Sequence, residues 1–271
     1  MKIISKLLLV LVFLLVIFIS YLSIFGIETD KFNTQISNKI KNIDQDLEIE
    51  LKKIKLVLNP IKFKLNIKTV GTKLKIRNQN VELENIKGQI SLKSLIENKF
   101  SIEKLEISTK SLEIKNLISF IRTFQNTPEL FILEKIVKKG YLIADIKLEF
   151  DSDGQIKKDY KIDGFIKDTK INFLNNYDIQ KLNLVFNYKN NDLLITDTSF
   201  LLNDLKFLSE KILFKKSKDD FLIEGKVNHK KIDINGKNLD LFIKPFFQGI
   251  DIIKLNFNSK NSFSLKINKN F

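Results

Sequence analysis

The chain has 271 residues, a formal net charge of +14 and no cysteine, so disulfides and thiol chemistry are excluded. The basic charge does not indicate nucleic-acid binding, because the lysines are dispersed among acidic residues. Arginine, which recognises phosphate and bases best, occurs only at Arg77 and Arg122. A basic surface of this kind suits an anionic lipid leaflet better.

An uncharged apolar segment follows two lysines at the start of the chain. It covers residues 7–25, and as a helix it would be about 28 Å long, close to the ~30 Å hydrocarbon core of a bilayer. A signal-peptidase site needs small residues, but Tyr21 or Ile24 would occupy its −3 position. Residues 1–26 are therefore predicted to be a cytoplasmic start and an uncleaved transmembrane anchor. The predicted anchor residues are Leu7, Val12, Leu15, Phe18, Tyr21 and Phe25.

Charges on either side of this segment predict its orientation. Lys2 and Lys6 precede it, and Glu28 and Asp30 are the first charges after it. The positive-inside rule then places the N-terminus in the cytoplasm and the body, residues 27–271, on the other side of the membrane.

Beyond the anchor the apolar periodicity changes from helical to alternating. Residues 32–43 have helical spacing and predict a short amphipathic helix. Strands follow from Leu47, with a bulge predicted at Lys52 and Lys53. The clearest strand is predicted at 61–67, where apolar residues alternate with polar ones. Further strands with short turns predict an antiparallel meander; they are placed at 70–76, 81–83, 90–92, 102–107 and 112–114.

One helical insertion interrupts the strands. Helical spacing over about 116–139 predicts a helix pair or a kinked helix, with Pro128 near the start of its second part and Gly140 as its C-cap. Strands then resume from residue 141 and continue to residue 267, including one predicted at 239–243. Residues 198–207 fit either a strand or a short helix. No low-complexity linker divides the body.

No residue pattern predicts catalysis, a metal or a cofactor. Asp151-Ser152-Asp153-Gly154 resembles the start of a calcium loop, but Lys157 and Lys158 occupy the region where acidic ligands are needed, so a hairpin turn is predicted. His229 is the only histidine, and its turn-like context predicts a surface side chain. A single histidine without cysteine argues against a nitrogen- or sulfur-ligated metal, and an enzyme is not expected.

More than a dozen predicted strands have one apolar and one polar face, and each apolar face must be buried somewhere. Two sheets could face each other as a closed sandwich, or one long sheet could curl and leave an apolar trough. Periodicity alone does not separate the two, because both bury the same residues. The candidate lining residues of a trough are Leu56, Leu58, Ile61, Phe63, Leu65, Ile67, Leu74 and Ile76.

This arrangement is similar to the N-terminal part of the AsmA-like family, bacterial relatives of bridge-like lipid-transfer proteins. The similarity lies in the apolar span, the helix after it, the strand entry around Asn59-Pro60, and the segments 83–88, 91–96 and 100–107 that lead to the helical insertion. These motifs are architectural rather than chemical, and they cover most of the chain.

The resemblance implies a fold and a function. The fold would be mainly β, an elongated curled antiparallel sheet with an apolar groove and a short helical insertion, anchored by one transmembrane helix. The body would be periplasmic, anchored in the bacterial inner membrane, and would bind or conduct phospholipid acyl chains for outer-membrane supply or envelope integrity. Family members are usually longer, so a protein partner that extends the groove is expected besides membrane phospholipid.

Two other functions are compatible with the residues alone. A membrane-tethered β module could act as an assembly or scaffold factor by adding a partner's strand to an open sheet edge. A secreted β-sandwich binding module is the third possibility.

Overall fold

The computed structural model describes residues 2–30, 33–41, 45–77, 79–97, 102–151, 154–173, 177–216, 220–247 and 251–268. In these ranges the chain is mainly β, and its paired strands are antiparallel. The helices are α1 (Lys2–Ile24), α2 (Asn33–Lys41), α3 (Leu92–Ile96), α4 (Ile114–Phe124), α5 (Pro128–Ile136), α6 (Gly236–Phe242) and a 3-10 turn at Lys244–Phe246. The strands are β1 (Ile27–Thr29), β2 (Leu47–Glu50), β3 (Ile54–Asn59), β4 (Lys64–Val70), β5 (Lys73–Ile76), β6 (Gln79–Ser91), β7 (Ile102–Thr109), β8 (Leu112–Glu113), β9 (Val137–Glu149), β10 (Lys161–Phe173), β11 (Tyr177–Lys189), β12 (Asp192–Leu202), β13 (Leu205–Lys216), β14 (Asp220–Asn235) and β15 (Lys254–Asn268).

The predicted fold class is confirmed at this level: a mainly β chain with antiparallel strands and an N-terminal apolar helix. The chain divides into two compact units. Unit 1 contains Met1–Lys110 and Asp145–Tyr160, and unit 2 contains Ser111–Ala144 and Lys161–Phe271. Strand β9 therefore contributes its first part to unit 2 and its last part to unit 1.

Unit 1 is built around the order β1-β3-β4-β6-β7-β9. Strand β6 is long enough to serve two pairings, since its first residues pair with β5 and the residues from Asn85 onward pair with β4. Strand β5 also pairs with β2. Buried apolar residues concentrate in and beside this branch; they are Leu47, Ile76, Val81 and Leu83. A hydrogen bond of 2.8 Å joins the buried hydroxyls of Thr69 and Thr72 where the two pairings separate.

Unit 2 continues from β8 and β9 through β10, β11, β12, β13, β14 and β15 in sequence order. Helix α6 covers one end of this sheet, where Leu239 packs with Leu205 and Ile234 in a buried cluster. Half-buried aromatic and aliphatic side chains surround that cluster, namely Phe207, Phe242, Ile243, Ile252, Leu255 and Phe257.

Three neighbouring strands of unit 2 share an irregularity at mid-length. Asp168 in β10, Lys181 in β11 and Asp197 in β12 all have positive φ angles, of 50°, 49° and 51°. The register shifts at the first two positions. Next to the irregularities, Thr169 and Thr198 are buried. Bulges on adjacent strands raise the local twist and bend the strands, so all three long strands bend at one level.

Three predictions about the strands of unit 1 are wrong. The phase break at Lys52 and Lys53 separates β2 and β3, which have different partners, and is not a bulge within one strand. The strand predicted at 61–67 begins only at Lys64. Pro60 has no N–H for a ladder, and Phe63 adopts a φ of +52°, so residues 60–63 form a turn. The predicted strands 81–83 and 90–92 belong largely to the single strand β6, and α3 begins at Leu92.

Further predictions are wrong in unit 2. The segment 239–243, predicted as a strand, belongs mainly to α6. Gly140 does not cap a helix, because α5 ends at Ile136 and β9 begins at Val137. His229 lies in β14 rather than in a turn, is 9% exposed, and its ring lies 4.1 Å from that of Phe207. The remaining elements follow the sequence more closely. The helix pair α4 and α5 falls within or close to the predicted 116–139. The segment 198–207, which fitted a strand or a short helix, contains the end of β12, a turn at residues 203–204 and the start of β13.

A glycine in β10 is required by close packing. A Cβ atom at Gly164 would lie 2.5 Å from the carbonyl oxygen of Ile143 and 2.7 Å from a ring carbon of Phe186. We expect Gly164→Ala to lower the free energy of unfolding by about 2 kcal/mol, since overpacking typically costs ~1–3 kcal/mol. Chemical denaturation of the detergent-solubilised protein measures this. Gly88→Ala is the matched control, because its Cβ would meet its nearest neighbour, Ile67 Cβ, at 3.9 Å; equal losses for both variants would contradict the prediction.

Candidate functional site

Apolar side chains align across the strands of unit 1. Leu56 in β3 lies opposite Ile67 in β4, which lies opposite Gly88 in β6. Gly88 lies opposite Leu105 in β7, which lies opposite Leu148 in β9. Because side chains two residues apart share a face, the neighbouring rows belong to the same surface. We call it the unit 1 apolar face: Ile54, Leu56, Leu58, Leu65, Ile67, Ile86, Ile90, Leu105, Ile107, Ile146 and Leu148.

The opposite face of the same strands is charged. Lys64 forms a 2.7 Å ion pair with Glu103, and Lys104 forms a 2.6 Å ion pair with Glu149. Gln89 donates a 3.0 Å hydrogen bond to Asn66. These groups interact with one another in contact with water, so this side of the sheet is satisfied in solvent.

The exposure of the unit 1 apolar face is intermediate. Ile54 and Ile90 are each 1% exposed, but Leu56, Leu65, Leu105 and Leu148 are half-buried. Packing against a second layer would bury such side chains almost completely. The face therefore retains apolar surface that is open to a ligand.

Unit 2 repeats the two-faced pattern. Phe186 in β11 lies opposite Ile195 in β12, which lies opposite Ile212 in β13. Ile212 lies opposite Gly225 in β14, which lies opposite Phe263 in β15. The unit 2 apolar face consists of Ile162, Ile166, Leu184, Phe186, Tyr188, Leu193, Ile195, Ile212, Phe214, Phe221, Ile223, Phe263, Leu265 and Ile267.

Glycines on this face are covered by aromatic rings. Gly164 lies opposite Phe186 and Gly225 lies opposite Phe263. A Cβ atom at either glycine would lie 2.7 Å from the ζ carbon of its phenylalanine, so each ring occupies the space beside the glycine of the neighbouring strand.

The other face of unit 2 carries ion pairs, as in unit 1, together with the apolar pair Phe165 and Val185, which are 40% and 44% exposed. Asp163 accepts hydrogen bonds from Asn187 and from Lys161, the latter an ion pair of 2.8 Å. Lys266 forms a 2.9 Å ion pair with Asp220. Apolar exposure on the opposite side is highest at the end of the strand order, where Leu265 is 53% exposed.

The candidate lining residues predicted from the sequence fall into three groups. Leu56, Leu58, Leu65 and Ile67 lie together on the unit 1 apolar face. Ile61 and Phe63 lie in the β3–β4 turn, where they are 96% and 52% exposed.

Leu74 and Ile76 form the third group and lie on β5, which pairs with β2 and β6. Ile76 is 1% exposed and belongs to the core. Sequence reasoning did not select the unit 2 apolar face, although its strands alternate just as regularly; a search for alternation along the whole chain would have found it.

The predicted anchor is a helix with its apolar side chains outward. Helix α1 is long and apolar enough to cross a membrane, and none of its apolar window is buried. The predicted anchor residues are all more than half exposed; they are Leu7, Val12, Leu15, Phe18, Tyr21 and Phe25. Within the part of the chain that the structure describes, no group of three or more potential ligand residues could hold a metal.

Comparison with known proteins finds no matching family model, no matching curated protein and no matching solved structure. The resemblance to the AsmA-like family stays a prediction from the sequence.

The charged face of unit 1 makes a testable electrostatic prediction. A hydrogen bond from Lys104, with its positive charge, lowers the pKa of Glu149 below the usual 4.5. The resulting stabilisation is present above the ordinary glutamate pKa and is lost as pH falls through the lowered one. Carboxyl ¹³C NMR titration should show a lowered pKa for Glu149 that returns towards 4.5 in Lys104→Met. Lys157→Met is the control, since Lys157 lies farther away at 3.5 Å; a larger change in that variant would contradict this account.

Proposed function

We propose that this chain is a membrane-anchored protein that shelters phospholipid acyl chains against the apolar faces of its sheets. The observation that carries the proposal is the two-faced sheet. In each unit, rows of mainly aliphatic and aromatic side chains occupy one face and most of them are half-buried, while ion pairs lie on the other face.

Acyl chains fit this surface chemically. An apolar face can cover the acyl tails in place of the bilayer. The binding free energy gained is roughly 0.8 kcal/mol for each methylene group kept from water. The rows that form the faces are mainly apolar. Thr69 lies within one row of unit 1, and Lys216 lies at the end of one row of unit 2, opposite Phe221. The phosphate would remain in water near the lysines of the surrounding surface.

The resemblance to the AsmA-like family and the flanking charges of α1 support a location. On this proposal the protein is anchored in a bacterial inner membrane with its body in the periplasm, where it contributes to outer-membrane lipid supply or envelope integrity. A curled groove, extended by a protein partner, would complete the path for lipid.

A second candidate function is favoured by strand β15. It is 15 residues long, contains no proline, and pairs with β14 at the end of the strand order. In the described part of the chain no further strand pairs with it. A long edge of this kind can accept a strand of another protein, as expected of a membrane-tethered assembly or scaffold factor.

Neighbouring residues of β4 provide the test. Leu65 lies on the apolar face and Asn66 on the charged face, and both are half-buried. We expect phospholipid to co-purify with the full chain in mild detergent and to fall several-fold in Leu65→Lys, because a buried ammonium is costly beside acyl chains. Asn66→Lys should retain it. Native mass spectrometry with lipid extraction measures both.

A matched pair of variants in β15 separates a loss of lipid binding from misfolding. Leu265 is 53% exposed, and its neighbour Ser264 lies on the polar face. Leu265→Lys should reduce bound lipid while the circular dichroism spectrum stays unchanged, and Ser264→Lys should not. A folded, lipid-free wild-type protein would reject acyl-chain binding and leave strand addition at β15 as the function.

A further inference from the structure

Exposed apolar side chains cluster at one end of the unit 1 sheet. Ile61 in the β3–β4 turn is 96% exposed, and Phe63 in the same turn is 52% exposed. Ile96, at the end of α3, is 74% exposed. Strand β6 ends opposite the start of β4, with Ser91 paired to Lys64, so α3 begins at the same end of the sheet as the turn. We call residues 60–63 the hairpin tip.

The hairpin tip is held by specific hydrogen bonds. The Asn59 side chain accepts a 3.0 Å bond from the backbone N–H of Lys62. The backbone N–H of Leu92 donates a 3.0 Å bond to the carbonyl of Phe63, which fixes α3 beside the tip. The apolar side chains are therefore presented to the exterior by an ordered backbone.

The tip points in the direction from which α1 arrives. Strand β1 follows α1 and runs antiparallel to β3, with Thr29 opposite Ile54 and Ile27 opposite Leu56. Moving backwards along β1 towards α1 therefore corresponds to moving forwards along β3 towards the tip. A Cβ atom at Gly26, between α1 and β1, would lie 2.3 Å from the carbonyl oxygen of Leu56.

Helix α1 also packs along β3. Its half-buried residues include Ile19, Leu22 and Ser23, which lie on one face of the helix, whereas its preceding turns are exposed. The distance from Ile24 back to Ile19 is ~7.5 Å along the helix. From Leu56 to Asn59 the strand advances ~10 Å. The tip thus lies level with the last two turns of α1, inside the apolar span.

We infer that the hairpin tip, together with Ile96, inserts into the leaflet of the bilayer from which α1 emerges. This inference rests on the anchoring part of the proposed function. Burying Ile61, Phe63 and Ile96 removes exposed apolar surface from water. The neighbouring Lys62 and Lys93 can extend to anionic headgroups. The first apolar pair beyond the tip is Leu58 with Leu65, so the unit 1 apolar face would begin at the membrane surface.

The absence of cysteine allows a direct test by single-site labelling. Full-length Ile61→Cys carrying an environment-sensitive dye is reconstituted into vesicles of phosphatidylethanolamine and phosphatidylglycerol, some of whose acyl chains carry nitroxide. Val70→Cys is the matched control: it is 58% exposed and lies at the other end of β4, ~20 Å from Lys64. Leu15→Cys places the dye in the middle of the apolar span of α1.

We expect several-fold quenching at Ile61 and Leu15, and little at Val70. Ile96→Cys should be quenched like Ile61. If the dye at Leu15 is quenched but the dye at Ile61 is quenched no more than the dye at Val70, the insertion of the tip is overturned. The prediction that α1 is a membrane anchor is then retained. Failure of quenching at Leu15 would overturn the anchor and the inference together. Lipid binding by the apolar faces is measured separately in the Leu65 and Leu265 variants.

Discussion

Alternation of apolar and polar side chains in register across antiparallel strands is the constraint on which the other features of this molecule depend. One register places Leu56, Ile67 and Leu105 in a row, and the same register places their polar neighbours in a row on the reverse side. A one-residue slip on any strand would move its apolar set to the charged face. Each sheet therefore keeps a mainly apolar face, in which Thr69 of unit 1 and Lys216 of unit 2 are polar members of the rows.

The same constraint explains the use of so many lysines. On the charged face of unit 1, Lys87 and Lys104 each lie within 4.0 Å of a glutamate on the adjacent strand. Lys64 of β4 pairs across β6 with Glu103 of β7. Such exposed pairs contribute little stability individually. They do not decide which strands are neighbours, because Lys55, Lys68 and Lys87 lie directly opposite one another on β3, β4 and β6. Lysines in excess of these pairs give the net charge of +14.

Sequence reasoning succeeded where local rules act alone. Strict alternation identified Leu65 and Ile67 as one face, and Pro128 marked the start of α5. It failed where backbone conformation or distant packing decided the outcome. Ile61 continues the alternation, but Pro60 and the positive φ of Phe63 place it in a turn. His229 lies against Phe207, a partner that sequence spacing does not reveal. The two pairings of β6 arise because its first part finds β5 and its second part finds β4, which no local pattern encodes.

The direction of the strands in unit 1 bears on how lipid could leave a bilayer. If the hairpin tip lies in the leaflet, β3 and β4 rise from the membrane with their apolar face starting at Leu58 and Leu65. The half-buried part of that face on β3 extends ~7 Å along the strand from Leu58 to Leu56, and Ile54 beyond it is 1% exposed. An acyl chain leaving beside the tip would first meet Leu58 and Leu65 and then Leu56 and Ile67. Successive strands offer the same surface side by side, since Ile86, Ile107 and Ile146 continue the upper row. A tail could therefore pass from strand to strand across unit 1 while its headgroup remained in water at the edge of the apolar face. The free-energy cost of leaving the bilayer would then be divided over several small steps.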